Sequence, residues 1–87
     1  MRLNTDRLNA FFQVALERNF HQAADTLCIT QSALSQRILK LEQEIKTKLL
    51  VRGSDGISLT KAGSILFEYI RGLQLKEHDV LNAMTGR

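Results

Sequence analysis

The chain has 87 residues, 44% of them hydrophobic, with 12 basic and 9 acidic side chains, a formal charge of +3, one Cys and no Pro. That describes one small domain with a modest core and no internal disulfide, so stability must come from helix packing or a partner chain. No apolar run is long enough for a membrane helix, and MRLNTDRLNAFF lacks the apolar core and cleavage site of a secretory signal, which leaves the cytoplasm as the default expectation.

Asn4 or Thr5 can cap a first helix, with Asp6 in its first turn. Leu8, Phe11, Phe12, Ala15 and Leu16 fall at i, i+3, i+4, i+7 and i+8 and predict the core-facing stripe of that helix. It should stop near Arg18-Asn19, where Asn tolerates the left-handed conformation and can also cap the next helix. Phe20, Ala23, Ala24 and Leu27 repeat the apolar period and predict a short second helix, about Phe20 to Cys28, whose alanines permit close approach. Cys28-Ile29-Thr30 is too short for a strand, and Thr30 stands where a third helix needs an N-cap. The third helix turns Leu34, Ile38, Leu41 and Ile45 inward and runs to about Lys46. Two helices joined by so short a break read as a helix-turn-helix over about residues 20–39.

Opposite that stripe lie Ser32, Ser35, Gln36, Lys40 and Gln43, all uncharged or basic. Most both donate and accept hydrogen bonds, which suits base edges in a major groove. Gln43 lies far from the groove-entering end and reads as solvent-facing, and Leu39 reads as an ordinary exposed Leu, the favoured reading, or as a contact to thymine methyls. Lys40, Lys46 and Lys48 would line a phosphate path. Glu42 and Glu44 would repel phosphate, so the C-terminal half of the helix should lift away from DNA.

Leu49-Leu50-Val51 is followed by Gly53-Ser54-Asp55-Gly56, and then Ile57 and Leu59 alternate with Ser58. Asp-Gly between apolar runs predicts a β-hairpin, which at this place is the wing of a winged helix-turn-helix, about residues 48–59. Thr60 should cap a last helix running from about Lys61 to beyond Leu81. Leu66, Ile70, Leu73, Val80 and Met84 form an a/d seam missed once, at Glu77. The small body cannot cover so long a stripe, which predicts pairing with a second copy; Phe67 and Tyr69 read as packing. The expected fold is mainly α, a winged helix-turn-helix of three helices and a hairpin over 3–60, followed by a linker and dimerisation helix over 61–87.

Cys28 reads as a small apolar residue near the turn, since there is no second Cys and His21 and His78 lie too far off for metal spacing. His21 belongs on the surface, in the first turn of the second helix, with contact to a phosphate as the lesser reading. With no phosphate-cradling Gly loop, nucleophile elbow or paired acid and base, the chain is expected to be no enzyme and to hold no metal or cofactor. The alternative is a helical dimerisation or protein-interaction module, favoured by the last helix but not by the Ser/Gln face or the wing. A charge of +3 permits nucleic-acid binding but is small for an architectural binder relying on charge.

In five pieces running in order over essentially its whole length, the chain resembles the N-terminal DNA-binding domain of LysR-type transcriptional regulators. LNAFFQVA at 8–15 resembles the family's first-helix core, and Asn19-Phe20 with Ala23-Ala24 and Leu27 its SF..AA..L. ITQSALS at 29–35 resembles VSQPALS, Leu41-Glu42 with Leu49-Leu50-Val51-Arg52 resembles LE…LF.R, and LTKAG at 59–63 resembles LT.AG. TQSALSQRI is most similar to the branch of arginine- and lysine-responsive exporter regulators.

The resemblance implies either a DNA-binding piece of a longer regulator that continues into an effector-binding domain, the favoured reading, or a natural short form. It places Gln31 at the groove-facing start of the recognition helix, where Gln can be bidentate to adenine, and Ser35 against bases or phosphate. The family's Arg is Gln36 here, with Arg37 following, which moves the charge by about 100° around the helix and leaves readout open between the two. Ser32 replaces the usual Pro and adds a hydroxyl. Arg52 matches the wing Arg that touches the phosphate backbone, and Thr30 would bond a phosphate as well as cap the helix. The implied function is sequence-specific double-stranded DNA binding as a homodimer through the last helix. The recognition helix enters the major groove and the wing lies on the flanking backbone and minor groove. The implied operator is an interrupted palindrome with half-sites about 34–36 Å apart, or a multiple.

Overall fold

A computed structural model describes residues 4–86, which form α1 (Thr5–Glu17), α2 (Phe20–Leu27), α3 (Gln31–Ile45), β1 (Leu50–Gly53), β2 (Gly56–Leu59) and α4 (Lys61–Thr85). The fold is mainly helical, with an antiparallel hairpin between α3 and the long α4. Each helix opens on a polar side chain that accepts from a backbone amide three residues on: Asn4 from Arg7 at 3.0 Å, Asn19 from Gln22 at 2.9 Å, Thr30 from Ala33 at 3.0 Å and Thr60 from Gly63 at 2.9 Å. These bonds satisfy amides that have no partner inside the helix. α1, α2 and α3 end on left-handed residues that are not glycine: Arg18 (φ 53), Cys28 (φ 58) and Lys46 (φ 55). The left-handed residue after α1 is thus Arg18 and not Asn19. Asn19 must stay extended (φ −151) to aim its side chain at the Gln22 amide, so the turn falls one residue earlier. For the same reason of chain reversal α2 stops at Leu27, and Cys28 is an exposed left-handed cap rather than part of the helix or its packing.

α1 lies in the middle. Ala10 and Val14 pack with Ala23, Ala24, Leu34 and Ile38 of α2 and α3, while Phe11 and Ala15 pack with Leu41, Leu49 and Ile70. Phe12 stacks on Phe67 of α4, ring centroids 4.9 Å apart. Serving two neighbours turns the buried arc of α1 towards Ala10 and Val14, and Leu16, expected inside, is left 58% exposed.

The hairpin pairs Leu50 with Leu59, Val51 with Ser58, Arg52 with Ile57 and Gly53 with Gly56. The loop is therefore Ser54-Asp55, one residue before the expected Asp-Gly, and Gly56 takes the positive φ (109°) that returns the chain. Directly paired residues share a face, so Leu50, Arg52, Ile57 and Leu59 lie on one side and Val51 and Ser58 on the other. The first side faces the body: Leu50, Ile57 and Leu59 pack on the core.

α4 starts against the loop before β1. The Thr60 hydroxyl donates to the Lys48 carbonyl at 2.6 Å, the Thr60 amide donates to the Leu49 carbonyl at 3.0 Å, and Gly63 lies so close to that carbonyl that no Cβ would fit. The stripe of α4 then divides. Leu66 and Ile70, expected in the seam between two copies, pack in the body's own core, where Ile70 is only 5% exposed. Leu73, Val80 and Met84 are 48%, 50% and 76% exposed, and Tyr69, expected to pack, is exposed as well. Among the described residues no helix is long and apolar enough to cross a membrane.

Candidate nucleic-acid interface

The residues expected to meet DNA fall into three groups around α3. The first is its N-terminus. Thr30 and Ser32 are exposed, and the Thr30 oxygen already accepts from Ala33, leaving the hydroxyl hydrogen as its outward donor. Gln31 is exposed too, and its Nε2 donates to His21 Nδ1 of α2 at 3.0 Å. On the far side of that ring, Nε2 is 3.5 Å from Asp25 Oδ2.

The second group is on the wing side. Arg52 lies on the body-facing side of the hairpin, so its guanidinium reaches α2 and α3. Its Nη2 donates to Ser35 Oγ at 3.2 Å, and its central carbon lies 3.7 Å from the centre of the Phe20 ring. Helix, wing and the start of α2 thus meet through one cation, and Leu39 and Lys48 line the groove between them.

The third group is on the opposite flank. Gln36, Arg37 and Lys40 line a cleft with Asn4, Asp6 and Arg7 from the start of α1. Gln36 and Lys40 are exposed and Arg37 is half-buried. The structure therefore brings Ser35 to Arg52 and separates both from Arg37 and Lys40.

Both carboxylates expected to push the C-terminal half of α3 away from phosphate are engaged inward. Glu42 Oε2 accepts from the backbone amides of Leu49 (2.7 Å) and Leu50 (3.3 Å), holding the entry to the wing. Glu44 is paired with Arg7 of α1. Their charges are met inside the fold, and that side of α3 presents Gln43, Lys46 and Lys48 as exposed residues. Sequence reasoning missed the parts played by Phe20, His21, Glu42 and Arg7. Their partners outside their own helices lie between 7 and 37 residues away, where no helical or strand period signals a contact. Only the short helix-turn-helix break, which sets the first turn of α2 beside that of α3, could have signalled the His21–Gln31 meeting.

Residues 5–64 match the profile of the bacterial regulatory helix-turn-helix proteins of the lysR family. The chain belongs to the LysR family. This LysR-family domain is 42% identical over 71 residues to the uncharacterised HTH-type transcriptional regulator YcaN of Escherichia coli, covering 82% of the chain and 24% of that protein. Its fold matches the DNA-binding domain of BenM, an Acinetobacter baylyi regulator, solved as a complex with catB site 1 DNA. There the TM-score is 0.81 and the identity 38%, over 98% of this chain and 94% of that one. ArgP from Mycobacterium tuberculosis matches with a TM-score of 0.85 and 34% identity, over 97% of this chain and 32% of ArgP. The chain thus spans about a quarter to a third of the regulators it resembles.

Proposed function

We propose that this LysR-family domain reads a specific double-stranded DNA sequence as a homodimer, within a longer transcription regulator. The observation that carries the reading is the outer face of α3, where Gln31, Ser32, Ser35 and Gln36 stand together with a cation-bearing wing beside them. The BenM domain, so similar in fold, is solved on a duplex, and its relatives are transcription regulators. In this reading α3 enters the major groove, Thr30, Arg37, Lys40 and Arg52 meet phosphates, and the wing lies on the flanking minor groove. Residues 3–60 form the reading unit and 61–87 the linker that pairs two copies through Leu73, Val80 and Met84, with Leu66 and Ile70 joining that stripe to the body. An effector-binding domain would follow in the full-length, cytoplasmic protein, a proposal supported by the lengths of the relatives. The likeness to ArgP supports placing the regulator in the arginine and lysine exporter branch.

The test is selection of bound sequences from a pool of random duplexes at two salt concentrations. An interrupted palindrome with half-sites about 34–36 Å apart, or a multiple, is expected. Steeply salt-dependent binding without enrichment would reduce the function to backbone binding. No binding at either salt would favour a protein-interaction module, for which the exposed apolar half of α4 is the available surface. Gln31→Ala should cost about 1–3 kcal/mol and relax preference at one base pair.

A further inference from the structure

Two side chains of α2 meet the start of the recognition helix in a line: Asp25, His21 and Gln31. Gln31 Nε2 can only donate, so His21 Nδ1 must present its lone pair, and the ring proton then sits on Nε2, the nitrogen facing Asp25. An amide nitrogen carries two hydrogens. One lies on the same side as the carbonyl oxygen, and those two atoms together match the N7 acceptor and N6 donor of adenine. The other hydrogen points away and is the one a neighbour can take without spoiling the pair. A ring acceptor is therefore the partner that leaves the adenine-matching edge of Gln31 free. A ring turned to donate would bond the oxygen instead and occupy one of its two lone pairs.

We infer that His21, oriented by Asp25, is a positioning residue that fixes the Gln31 side chain in the rotation that reads a base. This rests on the base-reading role given to Gln31 above. In water the contact holds little, since His21 and Asp25 side chains are 70% and 72% exposed. As a duplex displaces that water the contact strengthens, and it then holds Gln31 in its base-reading rotation. His21 thereby sets specificity without touching a base.

The experiment takes the duplex selected above and versions with each base pair replaced, and measures binding by fluorescence anisotropy. The proteins are the parent chain, Gln31→Ala, His21→Ala, His21→Asn and the double variant His21→Ala/Gln31→Ala, with equal thermal melting as the check on folding. Gln31→Ala should flatten discrimination at one base pair. His21→Ala should lower discrimination at that same pair by about 2- to 10-fold, the freedom of one long side chain. Other pairs and the salt slope should stay unchanged. His21→Asn, which returns an acceptor near the position of Nδ1, should restore part of the loss, and the double variant should match Gln31→Ala. A loss by His21→Ala on all sequences alike, with a lower salt slope, would mean that the ring contacts phosphate itself and would overturn the inference. So would unchanged discrimination at the pair, or a further loss in the double variant. If Gln31→Ala alone weakens all duplexes alike, the base-reading role falls and the inference with it, a failure visible in that arm without His21.

Discussion

On β1, Arg52 shares the body-facing side with Leu50, and its guanidinium is spread over Phe20 and against Ser35. Arg52→Ala should weaken binding to all duplexes alike and lower the salt slope by about one. Its effect on folding should be small, about 0.5–1 kcal/mol, because the stacked cation is exposed; affinity across a salt series and a urea titration measure the two separately. Glu42 behaves in the opposite way. Its carboxylate holds the amides of Leu49 and Leu50, and Leu49 is fully buried. Glu42→Ala should cost about 1.5–3 kcal/mol of stability, the range for hydrogen bonds to a charged group, read as a lower urea midpoint. A loss as small as that of an exposed surface charge would show that water replaces the carboxylate there.

Among the elements, the helices were legible because their signals are local. Asn4, Asn19, Thr30 and Thr60 each cap a residue three positions on, and the apolar spacing of α2 and α3 needs no knowledge of neighbours. Leu16, Tyr69 and the divided stripe of α4 were illegible for the converse reason: whether an apolar face is covered depends on which element docks there. α1 turned to serve two neighbours, and Leu66 and Ile70 were taken up by the body. Of the candidate interface, the Ser/Gln face follows from the period of α3. The inward reach of Arg52 follows from the alternation along β1, which puts it on the same side as Leu50. Gly63 decides how α4 docks. Gly63→Ala would drive a methyl group into the Leu49 carbonyl and should cost about 1–3 kcal/mol, as overpacking does. The drop should appear in thermal unfolding, with base preference unchanged in the fraction that stays folded.

At the scale of the molecule, the described residues extend 46 × 28 × 23 Å, the long dimension exceeding the roughly 38 Å that 25 helical residues span. α4 divides into a part packed in the body and an exposed apolar part, the one proposed above to pair two chains. Ile70→Ala should cost about 2–5 kcal/mol of fold stability. Leu73→Glu with Val80→Glu should leave melting of the body intact while sedimentation shows a single chain and binding to the palindrome collapses to that of one half-site. Persistence of the dimer in that variant would move the pairing surface elsewhere.

The exposed stretch from Leu73 to Met84 also bears on dose. A chain whose apolar seam is filled only by its twin is a component whose working form scales with the square of its abundance while single chains predominate. Halving the number of copies then quarters the paired form. A gene controlled through such a seam would respond to synthesis of the regulator more steeply than linearly, with a threshold set by how well Leu73, Val80 and Met84 fit their counterparts.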